Sequence, residues 1–138
     1  MRNSIFKVAV VAILILISGR ALSAQADADD VPHAPVTSII TLLAEPVSKN
    51  PHKVQVSGFL VLEFEGHALY LHREDFQEGL TRNAIRLSLT PEQEKQYKAL
   101  AGSYVVVEAS FQKRRGSEDI FTGTLFNVRE IRKTLSRH

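Results

Sequence analysis

The stretch KVQVSGFLVLEFEG, residues 53–66, constrains the fold more than any other part of the chain. Val54, Val56, Leu60, Leu62 and Phe64 recur with period two, and Gly58 takes the inner position between them. Side chains on a strand alternate between its two faces, so these positions are expected to form one buried row. Phe59 and Val61 make the middle of the run apolar on the other face as well. From Val54 to Glu65 the chain would reach about 40 Å at about 3.3 Å per residue, long for one flat strand. A glycine at its centre predicts a sharp bend, the device by which small barrels turn a corner.

The remaining elements follow in an order that matches such a barrel. VTSIITLLAEP places Ile39, Ile40, Leu42 and Leu43 on one helical face, and Pro46 stops the pattern at Glu45. Glu65-Gly66 predicts a tight turn, with His67 to His72 returning as a second strand. After a connector with a helical turn (Arg73 to Asn83), AIRLSL alternates with Ile85, Leu87 and Leu89 on one side. TPEQEKQYKAL carries every mark of a helix. Thr90 is the N-cap, Pro91 the first residue, Gln93 closes a capping box, and Gly102 ends it. Glu94 and Lys98 are spaced for an i,i+4 ion pair. Its apolar side is thin, mainly Tyr97, Leu100 and Ala101, so this helix is expected to plug a surface. SYVVVEASFQ puts Val105, Val107, Ala109 and Phe111 inward, and IFTGTLFNVREI follows, with Gly123 marking an expected bulge. Three strands, a helix and two strands, the first strand long and bent, are the layout of the OB-fold. The expected class is therefore mainly β: a five-stranded Greek-key barrel with a helix between strands three and four and a short N-terminal helix.

The N-terminus reads as a targeting segment. Arg2 and Lys7 precede the apolar run Val8–Ile17, which covers about 15 Å as a helix, half of a bilayer core of about 30 Å. Small residues then give an A-x-A pattern ending at Ala26, so residues 1–26 are expected to be a secretory signal and to leave no membrane anchor after cleavage. The protein is then periplasmic or secreted. Residues 27–35 read as a flexible leader, 36–133 as the barrel and 134–138 as a tail. With no cysteine, disulfides and lipid attachment at cysteine are excluded. The net charge of +2 belongs to the signal, since residues 27–138 carry 14 basic and 15 acidic side chains. Bulk charge therefore argues against a nucleic-acid partner. Along the chain, residues 27–78 hold nine acids and three bases, and 79–138 six acids and eleven bases.

The runs VSGFLVLEFEGHALYL, NAIRLSL, YVVVEASF and FTGTLFNV resemble a family of small exported bacterial proteins, the most specific piece being LEFEG-x-ALYL. The resemblance spans Val36 to Ile131 and implies an OB-like barrel and export. It supplies no catalytic residues, and it implies that a polar residue other than histidine can stand at positions 67 and 72.

Three groups of residues carry candidate chemistry. Glu63, Glu65 and His67 are candidate metal ligands at a hairpin tip, where carboxylates and an imidazole would have to converge within about 2.0–2.6 Å of one ion. His72 alternates to the opposite face from His67, and no H-E-x-x-H spacing or calcium loop occurs, so a solvated polar hairpin is the favoured reading. Lys113, Arg114 and Arg115 form a basic loop tip suited to an anion. Tyr70, Arg86 and Tyr104 are expected on the open barrel face that OB-folds use for ligands. Phe59, Tyr70, Tyr104 and Phe126 are the aromatics that single-strand binding would need exposed. Glu63, Glu65, Arg73 and Arg86 fit a metal-dependent hydrolase only loosely, and no nucleophile elbow is present. The sequence thus favours a non-enzymatic binding module without cofactor, holding a small anionic ligand, glycan or peptide. A protein-interaction or inhibitor domain of the cell envelope is the alternative.

Overall fold

A computed structural model describes residues 33–64, 66–114 and 119–135. The elements are β1 (Val36–Thr37), α1 (Ile39–Ala44), β2 (His52–Val61), β3 (Ala68–Tyr70), α2 (Arg73–Gln77), β4 (Ala84–Leu87), α3 (Pro91–Tyr97), β5 (Tyr104–Lys113) and β6 (Gly123–Lys133). Strands β2, β3, β4, β6 and β5 pair in that order, and β5 pairs back onto β2, closing a five-stranded barrel. Within the barrel the neighbours are antiparallel except β4 and β6, which run parallel through Arg86↔Thr124 and Leu87↔Leu125, and outside it β1 pairs in parallel with β2. This is the OB-like barrel that the order of elements predicts, with helix α3 between its third and fourth strands.

Gly58 explains the long first strand. A Cβ there would lie 2.6 Å from the Tyr70 carbonyl oxygen, 2.7 Å from Leu69 Cγ and 2.8 Å from Ile39 Cδ1. No side chain fits without displacing backbone. Just past this point β2 changes partners: it pairs with β5 from His52 to Phe59 and with β3 from Phe59 to Val61. The bend therefore lets one strand serve both halves of the barrel.

The inner row is Val54, Val56 and Leu60, met by Leu69, Ile85, Leu87, Val105, Val107, Phe111 and Leu125. Helix α1 adds Ile39 and Leu42 to this core and α3 adds Tyr97. Each fully buried aliphatic side chain contributes about 1.5–3 kcal/mol. Both helices start as their sequences require. Ser38 caps α1 by accepting from Thr41 N–H at 3.1 Å, and Thr90 and Gln93 form the capping box of α3. Gly102 takes φ +77° after α3, a conformation that favours glycine.

A second apolar layer lies outside the barrel. Phe59, Val61, Ala68, Tyr70 and Ala84 form the outer face of β2, β3 and β4, and Phe76 of α2 and Phe121 of the β5–β6 connection pack on it.

Several local expectations are corrected. Phe64 does not continue the inner row but is fully exposed, because hairpin pairing ends at Val61↔Ala68 and the tip projects beyond it. Ile40 is exposed, since a six-residue helix can turn only Ile39 and Leu42 fully inward. The second strand spans only Ala68–Tyr70, because Leu71 and His72 lead into α2. Gly123 pairs regularly with Lys113, and the irregularity lies between Glu108 and Ser110, opposite Asn127 at φ 49°. Gly123 is there for space: a Cβ would sit 2.5 Å from the Phe111 ring. Near the limits of the described residues, Ala34 is buried and the Pro35 carbonyl accepts from Gln55 N–H at 2.9 Å, while Thr134 N–H donates to the Tyr104 carbonyl at 3.1 Å. The proposed signal segment lies outside the described residues. Among those described, no helix is long and apolar enough to cross a membrane.

Candidate functional site

The candidate face residues are distributed by the pleat. Phe59 pairs with both Tyr104 and Tyr70, and Tyr70 pairs with Ala84, so these four form one row across β5, β2, β3 and β4. Tyr70 is only 6% exposed because Phe76 packs edge-on against it, with ring centroids 5.4 Å apart. Burial first, and then the Glu63 carboxylate, raise its phenol above the ordinary pKa. Tyr104 is 43% exposed, but its ring meets Phe59 edge-on and its hydroxyl accepts from Arg73 N–H at 3.1 Å. The Arg73 guanidinium lies 5.4 Å from the Phe59 ring centre, and that of Arg86 5.1 Å from the centre of Phe121. Arg86 also stands 3.9 Å from Asp119. The outer face is thus roofed by α2 and Phe121, and its cations are occupied.

The basic loop is occupied too. Lys113 Nζ donates to the Leu43 carbonyl and, at 3.5 Å, to that of Leu42, so it caps the C-terminal end of α1. Arg114 pairs with Asp119 at 3.2 Å. Lys113 and Arg114 line a shallow hollow of about 340 Å³ with Val47, Ser48, Lys49 and Gln112. Arg115 lies outside the described residues.

The hairpin tip differs. Gly66 N–H donates to the Glu63 carbonyl at 3.2 Å, closing the turn, and Phe64 stands 105% exposed at its end. Glu65 lies outside the described residues. His67 follows the inward parity of Leu69 and sits beneath α3, its side chain 17% exposed. Its Nε2 meets the Glu94 carboxylate, while its Nδ1 is buried without a hydrogen-bond partner among the described residues. The Glu94–Lys98 pair suggested by helical spacing does not form, because Glu94 turns down to His67 and leaves Lys98 outside any ion pair among the described residues.

Between the hairpin tip and α3 opens a pocket of about 450 Å³, lined by Leu62, Glu63, Phe64, His67, Glu94, Lys95 and Lys98. A second hollow, of about 280 Å³, shares Phe64 and His67 with it and reaches Arg86 and Ser88. Of the candidate metal ligands, Glu63 and His67 share the larger pocket. Among the described residues, no three His, Asp or Glu side chains converge as a metal site. Sequence reasoning found Glu63 and His67 but missed Phe64, Glu94, Lys95 and Lys98. Glu94, Lys95 and Lys98 lie on an exposed helical surface whose tertiary neighbour no local spacing reveals.

A further polar group lies on β5, paired with β2 through Gln55↔Glu108. Glu108 is buried, accepting from Gln55 Nε2 at 3.1 Å and from Arg129 at 2.9 Å, with His33 at 3.9 Å. Burial alone would raise its pKa, but the hydrogen bonds from Gln55 and Arg129 and the charges of Arg129 and His33 hold the carboxyl below its ordinary value. Comparisons with family models, with curated proteins and with solved structures find no match to this chain.

Proposed function

We propose that this chain is an exported, non-enzymatic binding module that holds a small ligand at the end of its barrel, between the β2–β3 hairpin tip and α3. One observation carries the reading: the pocket of about 450 Å³ is lined by apolar Leu62 and the exposed Phe64 at its rim and by polar groups from two elements. That size and mixture suit a small-molecule site, where apolar lining supplies affinity and a few polar groups supply orientation. Export rests on the basic start, the short apolar run and the A-x-A pattern ending at Ala26. The resemblance to small exported bacterial proteins carried by LEFEG-x-ALYL agrees with export and does not bear on the ligand.

Phe64 also supports a second reading. A fully exposed aromatic on a projecting tip is what an interaction or inhibitor domain would insert into an envelope protein. Native mass spectrometry of the untagged protein, purified from its own envelope fraction, separates the two. A bound small-molecule mass that is lost in the Phe64→Ser variant supports the pocket. A protein-sized mass lost in the same variant supports the interaction domain. A bare monomer whose spectrum stays unchanged after incubation with a metabolite extract overturns the small-ligand reading.

A further inference from the structure

We infer that the ligand class of this pocket is an amphiphilic monoanion, an apolar or aromatic body bearing one carboxylate. This rests on the pocket reading above and adds to it the chemistry of the occupant. Leu62 and Phe64 offer adjoining apolar surface, and nothing among the described residues covers the Phe64 ring. An aromatic side chain left in water gains by burial against a partner of its own kind, through apolar area and ring contact together. The body of the ligand therefore lies on Phe64 and Leu62.

Its head is set by α3. Lys95 and Lys98, three residues apart, put two ammonium groups on the same pocket wall, and neither has an ion-pair partner among the described residues. The partner that helical spacing would give Lys98 is Glu94, which His67 holds instead. The His67–Glu94 contact thus leaves a cation available at the rim. Glu63 and Glu94 line the same pocket, so the two ammonium groups face two carboxylates, of which Glu94 is engaged by His67. With Glu94 engaged by His67, a single carboxylate is met by the lysines, whereas the higher charge of a phosphate dianion or a nucleic-acid backbone is repelled by Glu63 and Glu94 together.

The test is calorimetric titration of the full mature protein with phenylbutyrate, with phenylbutanol (the same body without charge) and with inorganic phosphate. Phenylbutyrate should bind at least about tenfold more tightly than the alcohol, the scale of one charge-assisted hydrogen bond, and phosphate should give no saturable heat. The double variant Lys95→Ala, Lys98→Ala should bring the acid down to the affinity of the alcohol, and Phe64→Ser should weaken both. Equal binding of acid and alcohol at the pocket overturns the anion preference and leaves the pocket reading standing. Binding of phosphate alone, or of none of the three, overturns the ligand class, while the native mass spectrum decides separately whether the pocket holds another molecule. Circular dichroism of each variant shows that lost binding is not lost folding.

Discussion

The outer face of β2, β3 and β4 and the barrel end beneath α3 hold similar residue types, yet the chain finishes one and leaves the other open. On the outer face Tyr70 lies under Phe76, Arg73 over Phe59, Arg86 over Phe121, and the Tyr104 hydroxyl accepts from Arg73 N–H. At the barrel end, among the described residues, Phe64 is uncovered, Lys95 and Lys98 have no ion-pair partner, and His67 Nδ1 has no hydrogen bond. Aromatics and arginines on a barrel face thus do not by themselves mark a ligand surface. Groups that the fold leaves unpaired around a hollow are the better guide.

Stability measurements can break this contrast. Phe59→Ala, which removes the ring joining Tyr104, Phe76 and Arg73, should cost about 3–5 kcal/mol in urea unfolding. Phe64→Ala should stay within about 0.5 kcal/mol of the parent, since it removes no packing. Similar losses in both variants would erase the distinction between the two regions.

The next effect lies at Glu108. Glu108→Ala strands the Gln55 amide and should cost about 1–3 kcal/mol at neutral pH. The pH dependence follows from the lowered carboxyl. The unfolded state takes up its proton at the ordinary carboxylate value and the folded state only at a lower one. Glu108 therefore contributes full stability above the ordinary range and loses it as pH falls through its folded value. Thermal melts between neutral and acid pH should show a shallower acid decline in Glu108→Gln; a parallel decline would remove Glu108 as a source of that stability.

Smaller effects separate the two lysine roles. Lys113→Ala uncaps the last carbonyls of α1 and should cost about 1 kcal/mol, whereas Lys98→Ala should leave the midpoint almost unchanged. The smallest effect is the His67–Glu94 contact. A double-mutant cycle with His67→Gln and Glu94→Gln should give a coupling below about 1 kcal/mol, as expected for a pair open to water on the Glu94 side.

How much was legible in the chain follows from the range of each signal. The period-two row, the Gly58 bend and the Thr90–Gln93 box are local patterns, and the barrel and α3 follow from them. The bulge could not be placed, because Asn127 looks like any strand-end polar residue and Gly123 offers a more obvious but different reason to be glycine. Lys113 reads as a free loop cation because the α1 carbonyls it caps lie about seventy residues away in the chain. Glu94 illustrates the same limit. The i,i+4 rule nominates Lys98, but the hairpin brings His67 beneath α3, and only tertiary structure reveals that competition.

The central claim is that ligand binding belongs to the unfinished barrel end, and amide NMR of the protein titrated with phenylbutyrate tests it most directly. The account predicts saturable shifts clustered at Leu62, Glu63, Phe64, His67, Glu94, Lys95 and Lys98. Shifts clustered instead at Arg73, Arg86 and Tyr104, with the hairpin tip unmoved, would contradict it and return the ligand to the roofed face.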